Sequence, residues 1–430
     1  MTTVNGVSAS DAATVASLKP AHFHLEQVIR PNILSLKPYR CARDDYQEGI
    51  LLDANENSLG HSVPTGSAAA AASHGDASEL LDHALPLHRY PDPSLYGIKP
   101  TLAKLRGLPS ESHVFLGVGS DEVLDLIQRV SCRPQKDKIL ICPPTYGMYG
   151  VCAAVNDLEV VEVPLKTEGG AFSLDVEKVL ATLAADPSIK LVFLCSPGNP
   201  TGTLLDLGDM ERILNFEQWH GLVVVDEAYI DFAEEEIRMG KRTQAVSAVE
   251  LTKSYKNVVV TQTLSKAYGL AAIRLGIAYA QPALVQILNN TKAPYNIGVP
   301  TAHLASLALT AEGLSKMREN VRTLISHRAW LVAALNDLRE KEGIRAVGPI
   351  LGANEANFVL VQLLDDAGRP SGPLSGTVYK RMAEERQVVV RNRSKDLGCD
   401  GCLRITVGTE EENLRVIELM RQLLSDGKWS

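Results

Sequence analysis

Seven runs of apolar, often β-branched residues punctuate the first two-thirds of this 430-residue chain. They are Val114–Val118, Lys138–Cys142, Leu158–Val163, Leu191–Leu194, Leu222–Val225, Val258–Val260 and Leu275–Ala278. They are continuous rather than alternating. A strand with one wet face alternates, whereas an unbroken run suits a strand covered on both faces. Helical patterns lie between the runs. Val123, Leu126, Ile127 and Val130 share one face of Asp121–Val130, and Leu174–Leu183 and Asp209–Trp219 are further candidates. Alternating strands and helices predict an α/β layer built on a largely parallel sheet.

After about Pro300 the pattern changes. A long helical region, Thr301–Lys341, precedes isolated strands at Phe358–Leu363, Val388–Val390 and Leu403–Val407 and a last helix from about Glu411 to Leu424. This part reads as a second, smaller α+β domain. The expected divisions are a flexible extension over 1–34, an arm over 35–85 that contributes to the small domain, a large domain over 86–300 and the small domain over 301–430. The Ala-rich stretch Ser67–His74 reads as a surface loop, and the charged stretch Phe232–Thr243 as a solvated excursion.

Charge and composition narrow the function. A net charge of −8 and no dense Lys/Arg block argue against a nucleic-acid surface or a polybasic membrane patch. No run of eighteen apolar residues is present, so no membrane span is expected. The first twenty residues lack the basic and apolar regions of a secretory signal, and the first arginine is Arg30. A cytoplasmic protein is expected, with a plastid transit peptide as the alternative. The cysteines, such as Cys142 and Cys195, sit in apolar runs and read as buried thiols of a reducing compartment. Cys399-Asp400-Gly401-Cys402 is a single pair without partners, so a turn entering a strand is expected there and no metal site.

The chemistry lies where the apolar runs end. Val258–Val260 leads into Thr263-Leu264-Ser265-Lys266, with Arg274 eight positions beyond the lysine. Lys266 could form a Schiff base with an aldehyde whose phosphate Ser265 and Arg274 would hold. Pyridoxal 5′-phosphate (PLP) needs both jobs done at one place. The plain alternative is a turn with a solvated lysine. Leu222–Val225 ends at Asp226-Glu227-Ala228-Tyr229. A carboxylate there needs a cationic partner, which a protonated pyridine nitrogen supplies. Tyr229 could hydrogen-bond the ring oxygen. A metal-holding acid is the other reading of Asp226, but it calls for a G-x-x-x-x-G-K-[ST] loop that is missing. Asn199 sits in the rigid turn Ser196–Gly202, where its amide could donate to a phenolate oxygen. Gly117–Glu122 joins a strand to a helix whose first N–H groups could cradle a phosphate, with Ser120 as N-cap. Tyr146, in Pro143-Pro144-Thr145-Tyr146, could stack on a ring.

The ordered set S-P-x-N-P-T-G, D-E-A-Y and T-L-S-K-x7-R resembles the fold-type I PLP-dependent aminotransferases. More narrowly, Leu52–Asn57, Arg89–Asp92, Cys142–Tyr149 and Gly401–Gly408 are similar to the histidinol-phosphate aminotransferases, over roughly Leu36 to the C-terminus. The resemblance implies a large domain with a mostly parallel seven-stranded sheet, flanked by helices, plus a smaller α+β C-terminal domain. It implies Lys266, Asp226 and Tyr229 as the catalytic group. Ser120, Asp121, Tyr146, Asn199, Thr263, Ser265 and Arg274 would bind the cofactor, joined by Tyr90 from the neighbouring subunit of a homodimer. Tyr39, Asn55, Tyr90, Asn199, Arg391 and Arg404 would bind substrate, with Arg393 able to substitute for Arg391. Gly198 departs from bacterial relatives, which often carry a second asparagine there. The implied reaction is transamination between histidinol phosphate and 2-oxoglutarate, giving glutamate. A decarboxylase of an amino-acid phosphate, an aromatic amino-acid aminotransferase and a regulatory PLP-fold protein remain alternatives.

Overall fold

The computed structural model describes residues 11, 15, 18–37, 85–92, 95 and 97–425. Tyr39, Asn55, most of the 35–85 arm and the Ser67–His74 stretch lie outside the described residues. The seven apolar runs become seven strands of one sheet: β1 (Val114–Val118), β2 (Lys138–Ile141), β3 (Glu159–Glu162), β4 (Ile189–Cys195), β5 (Leu222–Asp226), β6 (Val258–Thr263) and β7 (Leu275–Tyr279). Their order is β1-β7-β6-β5-β4-β2-β3. Strand β7 is antiparallel to both neighbours, and every other pairing is parallel. The unbroken apolar runs have a simple cause. Val192, Leu194, Val223, Val225, Val258 and Val260 face one core, and Leu191, Phe193, Leu222, Val224 and Val259 face another on the opposite side.

A second sheet holds β8 (Val347–Leu351), β9 (Phe358–Leu363), β10 (Arg391–Asn392) and β11 (Cys402–Thr406), in the order β10-β11-β9-β8, all antiparallel. Strand β8 escapes a sequence reading because Gly348-Pro349 interrupts it and its register shifts between Val347 and Ile350. The strand expected at Val388–Val390 lies instead at Arg391–Asn392. Val389 is 74% exposed, so the apolar run precedes the paired residues rather than forming them. Cys402 opens β11 directly after the turn that carries Cys399, as expected.

Five helices position the site and close the two sheets: α1 (Gly119–Ser131), α2 (Met148–Val155), α3 (Ile230–Arg238), α4 (Ala311–Glu340) and α5 (Glu410–Ser425). Helix α1 buries Val123, Leu126, Ile127 and Val130 as its periodicity requires. Its cap differs from expectation. Ser120 lies inside the first turn, the N-cap residue is Val118, and the Glu122 carboxylate accepts the Val118 N–H. The long helical region is two helices, because the Thr310 hydroxyl accepts the Gly313 N–H and starts α4 afresh. Helices α4 and α5 close over the second sheet through Leu331, Leu335, Leu338, Val416, Leu419 and Met420.

Two expectations about loose segments are revised. Residues 18–34 are packed. Phe23, Val28, Ile29 and Ile33 are buried in the core beside α1, and Lys19 exchanges backbone hydrogen bonds with Ser254 and Lys256. Val28 and Ile33 lie in two four-residue helices, too short to leave a periodic signature, and Phe23 and Ile29 lie outside them. The charged stretch Phe232–Thr243 is solvated only in its second half, where Arg238–Lys241 and Thr243 are exposed. Helix α3 buries Phe232, Ala233 and Glu235. Its acids find arginines on other elements: Asp231 and Glu234 pair with Arg106 at 3.0 and 2.6 Å, Glu235 with Arg322 at 2.6 Å, and Glu236 with Arg328. Four acids in six residues look like a wet surface when the partners lie elsewhere in the chain.

Arg106 serves two acids at once, and burial pushes the Asp231 carboxyl up despite the neighbouring guanidinium. Removing the cation strands two acids in a low-dielectric site. Arg106→Met is expected to lower stability by roughly 3–5 kcal/mol at pH 7 in a urea titration. A variant as stable as the wild type would show that this network does not support the fold.

Candidate active site

Strands β1, β2, β4, β5 and β6 all point the same way, so their carboxyl ends meet at one edge of the sheet. That edge is where an open α/β sheet places its ligands. The segments leaving these strands carry Gly119–Asp121, Tyr146, Asn199, Asp226–Tyr229 and Thr263–Lys266. Strand β7 enters from the same edge, which adds Arg274.

Asp226 is the last residue of β5 and is buried. Tyr149 donates to its Oδ2 at 2.8 Å and Thr261 to its Oδ1 at 3.2 Å. Burial pushes its pKa up to about 6, against the pull of these two hydrogen bonds. A cationic group arriving beside it would be held strongly. Sequence reasoning misses both Tyr149 and Thr261. Tyr149 has a signal, since it stands three residues after Tyr146 in the first turn of α2, and the two rings meet edge to face at 5.7 Å. Its ring is fully buried and stacked on Phe193 with centroids 4.9 Å apart.

Lys266 opens onto the cleft, with Nζ 5.7 Å from the centre of the Tyr229 ring. The enclosing walls lower its pKa chiefly by desolvation, helped by the Arg404 charge. Burial likewise pushes the Tyr229 hydroxyl up to about 12, while Arg404 pulls the other way. Tyr229 meets Phe358 of β9 edge to face at 5.2 Å. Arg404 of β11 lies over the same Phe358 ring, also at 5.2 Å. Phe358 is thus a shared wall for both residues, and nothing in the sequence marks it beyond its place in a strand.

The buried Asn199 reaches toward the second sheet. Its Oδ1 accepts a hydrogen bond from Arg404 Nη1, and Arg393 Nη2 lies 3.4 Å from the same oxygen. With Oδ1 occupied, its Nδ2 remains the donor for anything else in the cleft. Arg391 pairs with Arg404 across β10 and β11 but is itself exposed. The second arginine at Asn199 is Arg393, the substitute for Arg391 that the sequence also offers. Its approach depends on the turn after β10, which no local pattern encodes.

The loop around the start of α1 has the shape of an anion cradle. Gly119 adopts φ +71°, and its N–H donates to the Arg274 carbonyl at 2.9 Å. A Cβ built on Gly276 would lie 2.2 Å from the Gly119 carbonyl carbon and 2.4 Å from the Ser120 nitrogen, so only glycine permits this approach. Asp121 accepts from Tyr146 Oη at 3.0 Å and lies 3.5 Å from Arg274 Nη2. The Thr263 hydroxyl lies 3.0 Å from the Leu275 carbonyl oxygen and 2.9 Å from Ser265 Oγ and accepts the Ser265 N–H at 3.1 Å, so it braces Ser265. Tyr90 is half exposed and stacks on Tyr295 at 4.6 Å.

These residues suit PLP. A helix N-terminus with Ser265 and Arg274 matches a phosphate, a buried carboxylate matches a protonated ring nitrogen, and an accessible lysine matches an aldehyde.

Residues 47–419 match the family aminotransferase class I and II. The chain is 42% identical to histidinol-phosphate aminotransferase of Schizosaccharomyces pombe over 413 residues, covering 94% of this chain and 98% of that protein. It is 43% identical to the enzyme of the same name from Candida maltosa over 417 residues, covering 94% and 99%. The solved structure of histidinol-phosphate aminotransferase from Sinorhizobium meliloti in complex with pyridoxal-5′-phosphate superposes with a TM-score of 0.67 at 21% identity, covering 87% of this chain and 90% of that one. At that identity the likeness concerns the fold. Together with the strand-end residues described above, these similarities place the chain in the class I and II aminotransferase family, among the histidinol-phosphate aminotransferases.

Proposed function

We propose that the chain is a PLP-dependent histidinol-phosphate transaminase of histidine biosynthesis. It would convert L-histidinol phosphate and 2-oxoglutarate to 3-(imidazol-4-yl)-2-oxopropyl phosphate and glutamate. The observation that carries this reading is the juxtaposition of Lys266 and Asp226 with an arginine cluster centred on Asn199.

Bound in the cleft, PLP supplies an electron sink for the bond broken at the substrate's amine-bearing carbon. Lys266 would hold the cofactor covalently and would carry the proton at that carbon. Its lowered pKa raises the fraction of neutral amine able to accept the proton. Asp226 keeps the ring nitrogen protonated, with Tyr149 and Thr261 fixing its two oxygens. Asn199 Nδ2 and the Tyr229 hydroxyl would donate to the ring oxygen. Gly119–Asp121, Ser265 and Arg274 would hold the cofactor phosphate, and Tyr146 would cover the ring. Arg404 binds the anionic end of either substrate, because a guanidinium fork suits phosphate and carboxylate alike. Phe358 holds that fork in place from below.

The partners of this reading are small molecules and a second copy of the chain. In a homodimer Tyr90 reaches the neighbouring cofactor phosphate, and Tyr39 and Asn55 belong to the substrate side. Among the described residues no helix is long and apolar enough to cross a membrane, and the compartment we assign is the cytoplasm. The test is purified protein with histidinol phosphate and 2-oxoglutarate, following glutamate and the cofactor spectrum. Release of CO2 in place of an oxo product, or a preference for phenylalanine, would overturn the assignment.

A further inference from the structure

The turn that carries Asn199 is clamped from outside by a buried carboxylate, Glu355. Inside the turn, the Gly198 N–H donates to the Thr203 carbonyl and the Gly202 N–H to the Gly198 carbonyl, each at 2.8 Å. The segment 352–357, which leads from β8 into β9, lies against the far end of this turn. The Glu355 N–H donates to the Gly202 carbonyl at 2.7 Å, and Glu355 Oε2 accepts the Leu204 N–H at 2.6 Å. The Ala353 N–H donates to Thr203 Oγ1 at 3.1 Å. A Cβ built on Gly352 would collide with the Thr201 carbonyl oxygen, so the two backbones are in direct contact.

Glu355 is itself held from the other side. Its Oε1 accepts from Arg242 Nη2. Arg242 lies 3.9 Å from Glu236 of α3, and Glu236 pairs with Arg328 of α4. Arg328 Nη1 then donates to the Ala356 carbonyl at 2.7 Å, one residue beyond Glu355. The circuit closes on the segment where it began. A buried ion pair gains little over apolar packing of the same volume, but each oxygen of Glu355 accepts along one direction and so fixes one geometry. What it fixes is the turn whose side chain, Asn199, reaches the cleft.

We infer that Glu355 is a positioning residue for the reaction: by holding residues 202–204 it sets where Asn199 Nδ2 stands in the cleft. This rests on the PLP site proposed above, in which that amide would donate to the ring oxygen of the cofactor. Gly202 bonds back to Gly198, the residue before Asn199, so a displacement at the clamped end passes to Asn199 through one backbone hydrogen bond. Glu355 acts through Asn199 and not on the reacting atoms.

The test compares the holoenzyme with Glu355→Gln and Glu355→Asp, and repeats Glu355→Gln in an Asn199→Ala background. A glutamine turns its NH2 group on one of two donors, the Leu204 N–H or Arg242, so one contact of the clamp is lost. A hydrogen bond to the ring oxygen favours its negative form, which strengthens when the lysine-bound cofactor gives up its proton. The pH midpoint of the lysine-bound cofactor's absorbance is therefore expected to move up in Asn199→Ala, and in the same direction by less in Glu355→Gln. In the double variant Glu355→Gln adds no further shift, because the residue it acts through is gone. Glu355→Asp keeps the charge, and its midpoint is expected to lie between wild type and Glu355→Gln. Turnover of Glu355→Gln is expected to fall about tenfold, in kcat more than in KM. If Glu355→Gln does not fold, the same cycle is run with Glu355→Asp. An unmoved midpoint, or an equal shift with and without Asn199, would overturn the inference. If the wild-type enzyme failed to transaminate histidinol phosphate while the shift still vanished with Asn199, the proposed substrate would fall and the positioning role would stand. A wild-type protein that forms no lysine-bound cofactor would overturn both.

Discussion

Lys266→Ala is expected to abolish turnover, with glutamate formation falling by at least about a thousandfold. Accessibility of the lysine is only part of the reason, because its neighbours cannot take over its work. Tyr229, whose ring is nearest to Lys266 Nζ, is pushed up to about 12 and stays protonated, so it is a poor base. Asp226 lies at the floor of the site with both oxygens occupied by Tyr149 and Thr261. Of these three groups only Lys266 has a lowered pKa and an amine to give to an aldehyde. The same variant should lose the absorbance of the lysine-bound cofactor, while phosphate contacts still allow weaker, non-covalent binding. Retention of near wild-type turnover would sink the assignment of the lysine and of the site built around it.

Asp226→Asn ranks next. An asparagine keeps the size of the side chain and can still accept from the two hydroxyls, so the fold should tolerate it. It removes the negative charge that favours a protonated ring nitrogen. A loss of turnover on the order of a thousandfold is expected, with weaker cofactor binding in a spectral titration. A variant within a few-fold of wild type in both measurements would mean that the ring nitrogen does not depend on this carboxylate.

The same residue sets a pH effect on the cofactor-free protein. Burial raises Asp226 to about 6 and its neighbour Glu227 to about 7, both above their unfolded values. The native state therefore binds more protons than the unfolded chain between about pH 4 and 7, so stability falls as pH rises through that window. For Asp226 the full swing is roughly 3 kcal/mol. Unfolding midpoints of the cofactor-free wild type should rise from pH 7 to pH 5, and Asp226→Asn should flatten part of that slope. Parallel curves for the two proteins would refute the contribution.

Much of this molecule is legible in one dimension. The inner strands of the large sheet announce themselves because burial on both faces demands unbroken apolar runs, whereas β3, at the edge, exposes Glu159 and Glu162. The cofactor-facing residues are legible for a related reason: a polar residue at the end of a buried strand has no other obvious purpose. What stays hidden depends on distant pairing. Strand β10 is only Arg391 and Asn392, and it exists because Arg404 and Leu403 pair with it. The acids of α3 look like surface until Arg106, Arg322 and Arg328 come to meet them. Tyr149, Thr261 and Phe358 read as core from their positions, and only the fold shows which core atoms touch Asp226 or Arg404.

Helix α3 begins at the residue after Tyr229 and is tied by its acids to the long helix beneath the second sheet. It is the joint of the molecule as well as the handle of the ring. A substitution at the seam between α3 and α4 is expected to be felt at Tyr229, the aromatic group beside Lys266, so that thermal stability and turnover change together.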